Sequence, residues 1–171
     1  MKIRTGGPGD AADTLALLDA AVAWLASHGR TGQWGDKPWT GRPAAVERIH
    51  RYAGDYLLRA AEDTEGRTVG VCVLAEEPPD YATPAGEREL YVRLLVTDRE
   101  RSGSGIGAAL VADAVEQARS RGIGLLRVDC YAGDDRKLVA QYERLGFTPT
   151  EAFEAAQPSG PWPGQILAIR L

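Results

Sequence analysis

The sequence is poor in the residues that build disulfides and metal sites. Its 171 residues include two cysteines and two histidines. Cys72 and Cys130 lie in separate apolar runs, and neither belongs to a Cys-x-x-Cys pair. This usage excludes a disulfide framework and a cysteine-rich zinc site, and it leaves too few histidines for a histidine-rich metal centre. We therefore expect no metal cofactor, and the reducing cytoplasm is the expected location of the protein.

Long apolar runs and an excess of positive charge are also missing. No apolar run approaches the roughly 18 residues that a membrane-spanning helix needs, and residues 1–8 lack the apolar region of a signal peptide. Lys and Arg number 20 against 24 Asp and Glu, which gives a formal charge of −4. This balance lacks the basic surface typical of nucleic-acid-binding proteins and suits a neutral or cationic small partner. We therefore predict binding to neither nucleic acids nor membranes.

The composition that is present is that of an ordinary globular domain. Hydrophobic residues make up 44% of the chain and charged residues 26%, both close to the averages for globular proteins. A chain of this length favours one domain, since domains average roughly 150 residues. No repeat, linker or low-complexity segment divides the sequence. We therefore expect a single domain over residues 1–171.

Turn residues and apolar periodicity divide the chain into strands and helices. The predicted strands cover residues 1–5, 56–61, 68–75, 90–96, 125–131, 147–153 and 165–171. The predicted helices begin after Asp10, near Pro43, at Gly105 and near Arg136. The strand–helix–strand order of residues 90–131 predicts a parallel crossover, and a Pro/Gly loop that contains Trp162 is expected between the last two strands. This order predicts an α/β chain of the α+β type with a mixed sheet.

A glycine-rich loop precedes the third predicted helix. Gly103, Gly105 and Gly107 lack the Cβ atoms that would keep a ligand away from the main chain. Their N–H groups, together with the positive end of the helix, can bind an anion such as a pyrophosphate. The loop lacks the Gly-Lys-Ser/Thr ending of a P-loop, which disfavours a nucleoside triphosphatase. Taken alone, the loop is equally compatible with a simple turn.

Part of this loop also matches a dinucleotide-binding pattern. Gly103, Gly105 and Ala108 match G-x-G-x-x-A. Asp129 follows 21 residues after the last of these. A dinucleotide-binding fold places the first glycine directly at the end of a strand, whereas residues 97–102 separate the two here. The chain upstream also lacks the alternating strands and helices of such a sheet, so this interpretation is disfavoured.

Two segments in the second half of the chain carry a pair of motifs at a characteristic separation. Residues 94–107 contain an apolar strand end, an acidic-basic loop and Gly-Ser-Gly-Ile-Gly. Residues 135–147 contain Tyr142 followed by Gly146-Phe147. Together they resemble the two signatures of the GNAT superfamily of acetyl-CoA-dependent N-acyltransferases, Q/R-x-x-G-x-G/A and an Asn followed by Tyr-x-x-x-Gly-Phe.

Two positions depart from these signatures. Ser102 stands where the family usually has Gln or Arg, although Arg101 is adjacent, and Asp135 stands where Asn is usual. The resemblance implies a mixed, largely antiparallel sheet of six to seven strands flanked by about four helices. It also implies acetyl-CoA as the co-substrate. The residues implied in binding it are Leu94, Leu95 and Val96 through backbone atoms at a bulge, and Arg101, Ser102, Gly103, Ser104, Gly105, Ile106, Gly107, Ala108, Asp135 and Tyr142.

The resemblance implies direct transfer of the acetyl group to a primary amine of a small molecule or peptide within a ternary complex. Tyr142 matches the family tyrosine that protonates the coenzyme A thiolate, although its helical stripe with Leu138 and Val139 is also typical of a core residue. Glu89, at the start of a strand, matches a position where some relatives carry the base, and it would also contact the acceptor. Glu87 and a relay through water are the alternatives for the base.

Two tryptophans in a broken loop are candidates for the acceptor site. Trp34 and Trp39 lie among Gly and Pro residues, and aromatic side chains in such a loop need a packing or binding reason. In relatives this region forms one wall of the acceptor groove, which implies that both residues line it. Trp24 lies near the stripe of the first helix and is interpreted as core.

Several questions stay open on the sequence alone. The acceptor can be any of several amines, such as an aminoglycoside, a polyamine or a peptide N-terminus. A non-catalytic acyl-CoA-binding or sensing module and, less favoured, a dinucleotide-binding protein are the other functions considered. Because relatives often dimerise, a homodimer is a further expectation.

Overall fold

Seven strands form one sheet in the order β1-β2-β3-β4-β5-β7-β6 in the computed structural model, which describes residues 1–171. The strands are β1 (Lys2–Thr5), β2 (Leu57–Glu62), β3 (Thr68–Ala75), β4 (Leu90–Thr97), β5 (Leu125–Tyr131), β6 (Thr148–Gln157) and β7 (Gly160–Arg170). Only β4 and β5 pair in parallel, and every other neighbouring pair is antiparallel. The prediction of a mixed, largely antiparallel sheet is confirmed.

Four α-helices cover the two faces of this sheet. They are α1 (Ala11–Ser27), α2 (Pro43–Asp55), α3 (Ile106–Ser120) and α4 (Lys137–Arg144). A core of 16 buried residues lies between the sheet and α1 and α2, and a second core of 19 buried residues lies between the sheet and α3 and α4. The predicted stripe of α1, Leu15, Leu18, Val22 and Leu25, is buried. None of the helices is both long and apolar enough to cross a membrane.

The Pro/Gly loop expected around Trp162 is instead part of a long hairpin, so that prediction was wrong. β6 and β7 continue past the expected loop, and Trp162 pairs with Ala155 across the hairpin. Prolines are tolerated here because β7 pairs with β5 only from Gly164 onward. Pro161 and Pro163 therefore lie beyond the end of β5, where one edge of the strand needs no hydrogen-bond donors.

Candidate active site

A β-bulge in β4 changes the face of the sheet to which its side chains point. Val92 and Leu94 pair with adjacent residues of β3, so Arg93 between them has no partner there. Before the bulge, Leu90 and Val92 belong to the core beneath α3 and α4. After the bulge, Leu94 and Val96 belong to the core beneath α1 and α2. One extra residue shifts the two-residue alternation of a strand and produces this exchange.

The parallel strands β4 and β5 diverge at the same level. Their pairing ends at Val92 and Val128. β4 continues to Thr97 and β5 to Tyr131, but no ladder joins these portions. Because backbone groups that face a neighbouring strand normally pair with it, the inner edge of β4 beyond the bulge presents its N–H and C=O groups to the gap.

The gap opens into a cleft of about 720 Å³ that passes through the sheet. Its lining includes Tyr91 and Asp129 and also Cys130 and Tyr142. Consecutive residues of a strand point to opposite faces, so Asp129 and Cys130 line the cleft from opposite sides. Cys130 and Tyr142 belong to the core beneath α3 and α4. A molecule entering from either face can therefore reach the point where the strands diverge.

The glycine-rich loop presents free backbone donors at the start of α3. The N–H groups of Gly105, Ile106, Gly107 and Ala108 have no acceptor within the protein. Gly103 and Gly105 have φ values of +83° and +86°, in the left-handed region that glycine adopts without strain. A Cβ atom added at Gly107 would meet no atom within 4 Å. The loop is therefore an open cradle of N–H groups at a helix N-terminus, which can bind an anion.

The neighbouring side chains of this loop are engaged within the protein. The Arg101 guanidinium pairs with Asp63 at 2.8 Å and with Asp98 at 3.3 Å, so its charge is already balanced and it holds the loop against the β2–β3 hairpin. Ser104 donates its hydroxyl to the Arg101 carbonyl at 2.6 Å. Ser102 is exposed and its side chain contacts no partner. The free anion-binding groups are thus the backbone N–H groups.

A second, more basic pocket of about 340 Å³ adjoins the cleft. Sequence reasoning missed its four cationic side chains, Arg30, Arg99, Lys137 and Arg144. They come from the segment after α1, the turn after β4 and α4, and only the folded chain brings them together. Burial, with Arg30 nearby, lowers the pKa of Arg99 below its ordinary value. The only carboxylate in the lining is Asp134, so the pocket can accept an anionic group.

A strained turn leads into α4 and carries Asp135. Asp134, Asp135 and Arg136 all have positive φ values, of 53°, 58° and 60°. Non-glycine residues in this region cost about 1–2 kcal/mol each, and Asn and Asp are the residues that tolerate it best. Position 135 is the one where the resemblance implies Asn, and this backbone conformation explains why Asp can replace it.

Tyr142 lies on α4 with its hydroxyl group unengaged. The residue is 9% exposed, lines the cleft, and packs edge-on against Phe147 with ring centroids 5.6 Å apart. Its ring therefore belongs to the core, as its helical stripe predicts. Burial raises the pKa of its phenol above the ordinary value, which keeps the group protonated at neutral pH. The hydroxyl forms no hydrogen bond with another protein group.

Glu89 lies in a buried ion pair, and this placement contradicts its expected position at the acceptor site. Both of its carboxylate oxygens accept hydrogen bonds from Arg127, one of them at 2.9 Å from Nη2. Glu89 is 3% exposed and does not line the cleft. A general base must come within hydrogen-bond reach of the proton that it removes, which Glu89 does not. Glu87, the alternative, lies on the surface beside Arg170, whose hydrogen bond lowers the Glu87 pKa.

Trp34 and Trp39, which are predicted to line the acceptor site, both lie on the wall of the cleft. Their rings meet edge-on at 5.9 Å. Asp19 of α1 holds this loop by accepting the backbone N–H of Trp39 at 2.6 Å and the hydroxyl of Thr40 at 2.6 Å. Trp24 is outside the cleft and only half-buried, with the guanidinium of Arg99 4.5 Å above its ring.

Sequence reasoning also missed a carboxylate in the cleft. Asp129 accepts the Tyr91 hydroxyl at 2.5 Å and the Tyr81 hydroxyl at 2.9 Å, both on Oδ2. Burial raises the pKa of Asp129 above its ordinary value, against the opposing effect of these two hydrogen bonds. The available signal was a single carboxylate within a mostly apolar strand. Its partner Tyr81, however, comes from a loop that the sequence marks only as a surface segment.

Known proteins share this fold and this family. The model of the acetyltransferase (GNAT) family matches residues 20–147. A mycothiol acetyltransferase from Clavibacter michiganensis is 31% identical over 75% of this chain and 40% of its own length. Another from Saccharomonospora viridis is 29% identical over 88% of this chain and 47% of its own. The chain thus spans less than half the length of these curated relatives.

A solved structure agrees at the level of the fold. It is of a Salmonella typhimurium protein described as an acetyltransferase and solved with its cofactor acetyl-CoA. The TM-score is 0.66 at 16% identity, over 99% of this chain and 93% of that one. The family model covers most of the chain, including the second half of α1, all of α2 to α4 and strands β2 to β5. The chain therefore belongs to the GNAT acetyltransferase family.

Proposed function

We propose that the protein transfers the acetyl group of acetyl-CoA to a primary amine of a small molecule or peptide, directly within a ternary complex. The observation that carries this proposal is the cleft that passes through the sheet where β4 and β5 diverge. A cofactor entering beneath α3 and α4 and an amine entering beneath α1 and α2 would meet at that point. Such a passage holds two reactants next to each other and so lowers the entropic part of the barrier.

The free groups around the cleft suit coenzyme A. The cradle of N–H groups at Gly105, Ile106 and Gly107 would bind the pyrophosphate. The adjoining pocket, with Arg99 and Lys137 among its cations, would bind the phosphate-bearing end of the molecule. The inner edge of β4 would bind the extended arm through backbone groups of Leu94, Leu95 and Val96. The Salmonella protein with bound acetyl-CoA supports this use of the fold.

The chain's own groups would then assist the transfer. Acetyl-CoA supplies the acetyl group as a thioester, whose carbonyl oxygen gains negative charge as the amine attacks. The N–H groups on the edge of β4 beyond the bulge would stabilise this charge. Tyr142, protonated and free to donate, would protonate the leaving sulfur. Trp34 and Trp39 would form the wall against which the acceptor packs, and aromatic faces attract the cationic form of an amine.

A screen of amines tests the proposal. The protein is incubated with acetyl-CoA and pooled primary amines that include an aminoglycoside, a polyamine and free peptide N-termini. Release of free thiol is measured, and mass spectrometry identifies the acetylated product. We expect thiol release above the background of hydrolysis together with one acetylated class of amine. Bound acetyl-CoA without any acetylated product would instead indicate a binding or sensing module.

Thermal melting distinguishes a dinucleotide-binding protein from an acetyltransferase and from an acyl-CoA-binding module. A ligand present at 100 times its Kd stabilises the folded state by about 2.7 kcal/mol, which is readily measured. We expect coenzyme A to raise the melting temperature and NAD or NADP to leave it unchanged. The reverse result would indicate a dinucleotide-binding protein.

A further inference from the structure

Asp129 occupies the point at which an incoming amine would meet the cofactor. It directly follows Val128, the last residue of β5 that pairs with β4. The other carboxylate that lines the cleft, Asp80, is exposed at its rim. Asp129 is therefore the one largely buried carboxylate in the passage, and nothing in the family's signatures includes it.

The two oxygens of this carboxylate have different surroundings. Tyr91 and Tyr81 both donate to Oδ2, at 2.5 Å and 2.9 Å. Oδ1 accepts no hydrogen bond from any protein group, although the residue is largely buried. Oδ1 is not fully buried, so a ligand or a water molecule in the cleft can reach it and supply a hydrogen-bond donor. Tyr91 and Tyr81 thus fix the orientation of the group and leave one oxygen open to the cleft.

The cations near Asp129 are held by other partners. Arg127 donates to both oxygens of Glu89. The Arg93 guanidinium lies 5.6 Å from the ring centroid of Tyr52 and donates to the carbonyl of Glu77 at 3.1 Å. Neither cation donates a hydrogen bond to Asp129. The negative charge of its carboxylate is therefore available to a cationic group that enters the cleft.

We propose that Asp129 receives the acceptor's ammonium group on Oδ1 and acts as the general base of the transfer, with Tyr81 and Tyr91 as positioning residues. This assignment rests on the proposed function. It places the base on the face of the sheet opposite to Tyr142 and replaces Glu89 in that role. The ligand class that it implies is a primary amine that arrives protonated.

The proton balance of this step is complete without another reactant. One ammonium proton moves to Oδ1 of Asp129, and the freed nitrogen lone pair forms the bond to the carbonyl carbon. The carbon–sulfur bond breaks, its electron pair leaves with sulfur, and sulfur takes the phenolic proton of Tyr142. The second nitrogen proton restores the phenol through water, and Asp129 releases its proton to solvent. The products are an amide, a thiol and one proton.

The burial of Asp129 favours its role as a general base. It raises the pKa of the carboxyl above its ordinary value, even though Tyr81, Tyr91, Arg93 and Arg127 all act to lower it. A base is most effective when its pKa lies near the working pH. Because the raised pKa brings the group closer to neutral pH, the rate at saturating amine is expected to fall on the acidic side as Asp129 becomes protonated.

The test compares Asp129→Asn with Asp55→Asn, the same substitution at an exposed residue at the end of α2 that does not line the cleft. With an amine from the screen, we expect Asp129→Asn to lower kcat by about 10²–10⁴-fold. The Kd of acetyl-CoA should change less than about threefold, because the cradle and β4 are untouched. In the wild type the rate should fall at acidic pH as Asp129 becomes protonated, and this fall is the acidic limb of the pH profile. In Asp129→Asn this limb should be absent, and the rate should instead rise with pH in proportion to the unprotonated fraction of the amine. Asp55→Asn should behave as wild type.

Tyr81→Phe gives a second test that does not depend on whether Asp129→Asn folds well. Tyr81 is half-exposed, and its hydroxyl donates a hydrogen bond that favours the charged form of Asp129. Removing it should raise the pKa of Asp129 and move the acidic limb to higher pH, which a merely structural tyrosine would not do. An unmoved limb in Tyr81→Phe, or wild-type kcat in a folded Asp129→Asn, overturns the assignment while leaving the proposed function intact. Wild-type protein that acetylates no amine overturns both.

Discussion

Asp129 and Cys130 are neighbours in β5, yet they line the same cleft from opposite faces of the sheet. This relationship exists only because β4 and β5 stop pairing at Val92 and Val128. In a continuous sheet the two side chains would be separated by a closed layer of backbone. Here the Asp129 carboxylate on one face and the Tyr142 phenol on the other both border the space between the two strands.

Gly107→Val should strongly weaken the binding of coenzyme A without disturbing the fold. Gly107 has no positive φ, and an added Cβ would meet open space, so a side chain is tolerated by the protein but projects where the pyrophosphate would lie. We expect at least a tenfold loss of affinity, or about 1.4 kcal/mol, measured by titration calorimetry. Gly54→Val, at a helical glycine with equally open surroundings, should bind as wild type.

Gly105→Val would be a poorer test of whether the glycine-rich loop binds the pyrophosphate. Its φ of +86° strains any β-branched residue, so a loss of binding could come from a distorted loop. Wild-type affinity in a folded Gly107→Val protein would contradict the pyrophosphate assignment and leave the loop as a simple turn.

Glu89→Gln should cost stability rather than catalytic rate. Glu89 and Arg127 are both buried and hydrogen-bonded through two contacts. Breaking a buried pair leaves an uncompensated charge and costs about 3–5 kcal/mol, which the glutamine amide would partly offset. Chemical denaturation should reveal the loss, while kcat per folded molecule stays within about twofold, far from the roughly 10²-fold expected of a lost base.

Replacing both members of the pair provides the control. Glu89→Met combined with Arg127→Leu removes the two charges together and should recover much of the stability lost in Glu89→Gln. A Glu89→Gln protein as stable as wild type but with a strongly reduced kcat would return the role of base to Glu89.

The ion pair of Glu89 shows which features of the site could not be predicted from the sequence. The order of strands and helices follows from local periodicity, and the glycine-rich loop predicts an anion site because the groups that would bind the anion lie in consecutive residues. The partner of Glu89, in contrast, lies 38 residues away on β5, and Tyr81 reaches Asp129 across 48 residues. Which carboxylate is neutralised and which is left open depends on strand register, and one-residue shifts such as the bulge at Arg93 decide it.

Both cysteines should resist thiol reagents in the folded protein. Burial raises the pKa of Cys72 and of Cys130 from the ordinary 9.0 to about 12. At pH 8 this lowers the fraction of reactive thiolate by about a thousandfold, and the thiolate is the species that reacts. We expect labelling to be slow in native protein and complete in denaturant. Rapid labelling of Cys130, which lines the cleft, would show that the passage admits solvent more freely than its burial indicates.

Tyr142→Phe separates the catalytic role of this residue from its structural role. The ring packs on Phe147 and remains in the variant, whereas the hydroxyl, which has no hydrogen-bond partner in the protein, is lost. The free energy of unfolding should therefore change by no more than about 1.5 kcal/mol, the size of one ordinary hydrogen bond. If the phenol protonates the leaving sulfur, kcat at pH 7 should fall at least tenfold, within the range of general acid catalysis.

The identity of the leaving group makes this expectation specific. A thiol of lower pKa leaves as a stable thiolate and needs no proton, so the deficit of Tyr142→Phe should shrink with an acetyl thioester of such a thiol. Tyr56→Phe, which removes an exposed hydroxyl that donates to Glu77 at 3.0 Å, should show no deficit with either thioester. Full activity in a stable Tyr142→Phe protein would leave the tyrosine as a core residue alone. An equal deficit with both thioesters would mean that the hydroxyl acts elsewhere in the reaction, because only protonation of sulfur depends on the basicity of the thiolate.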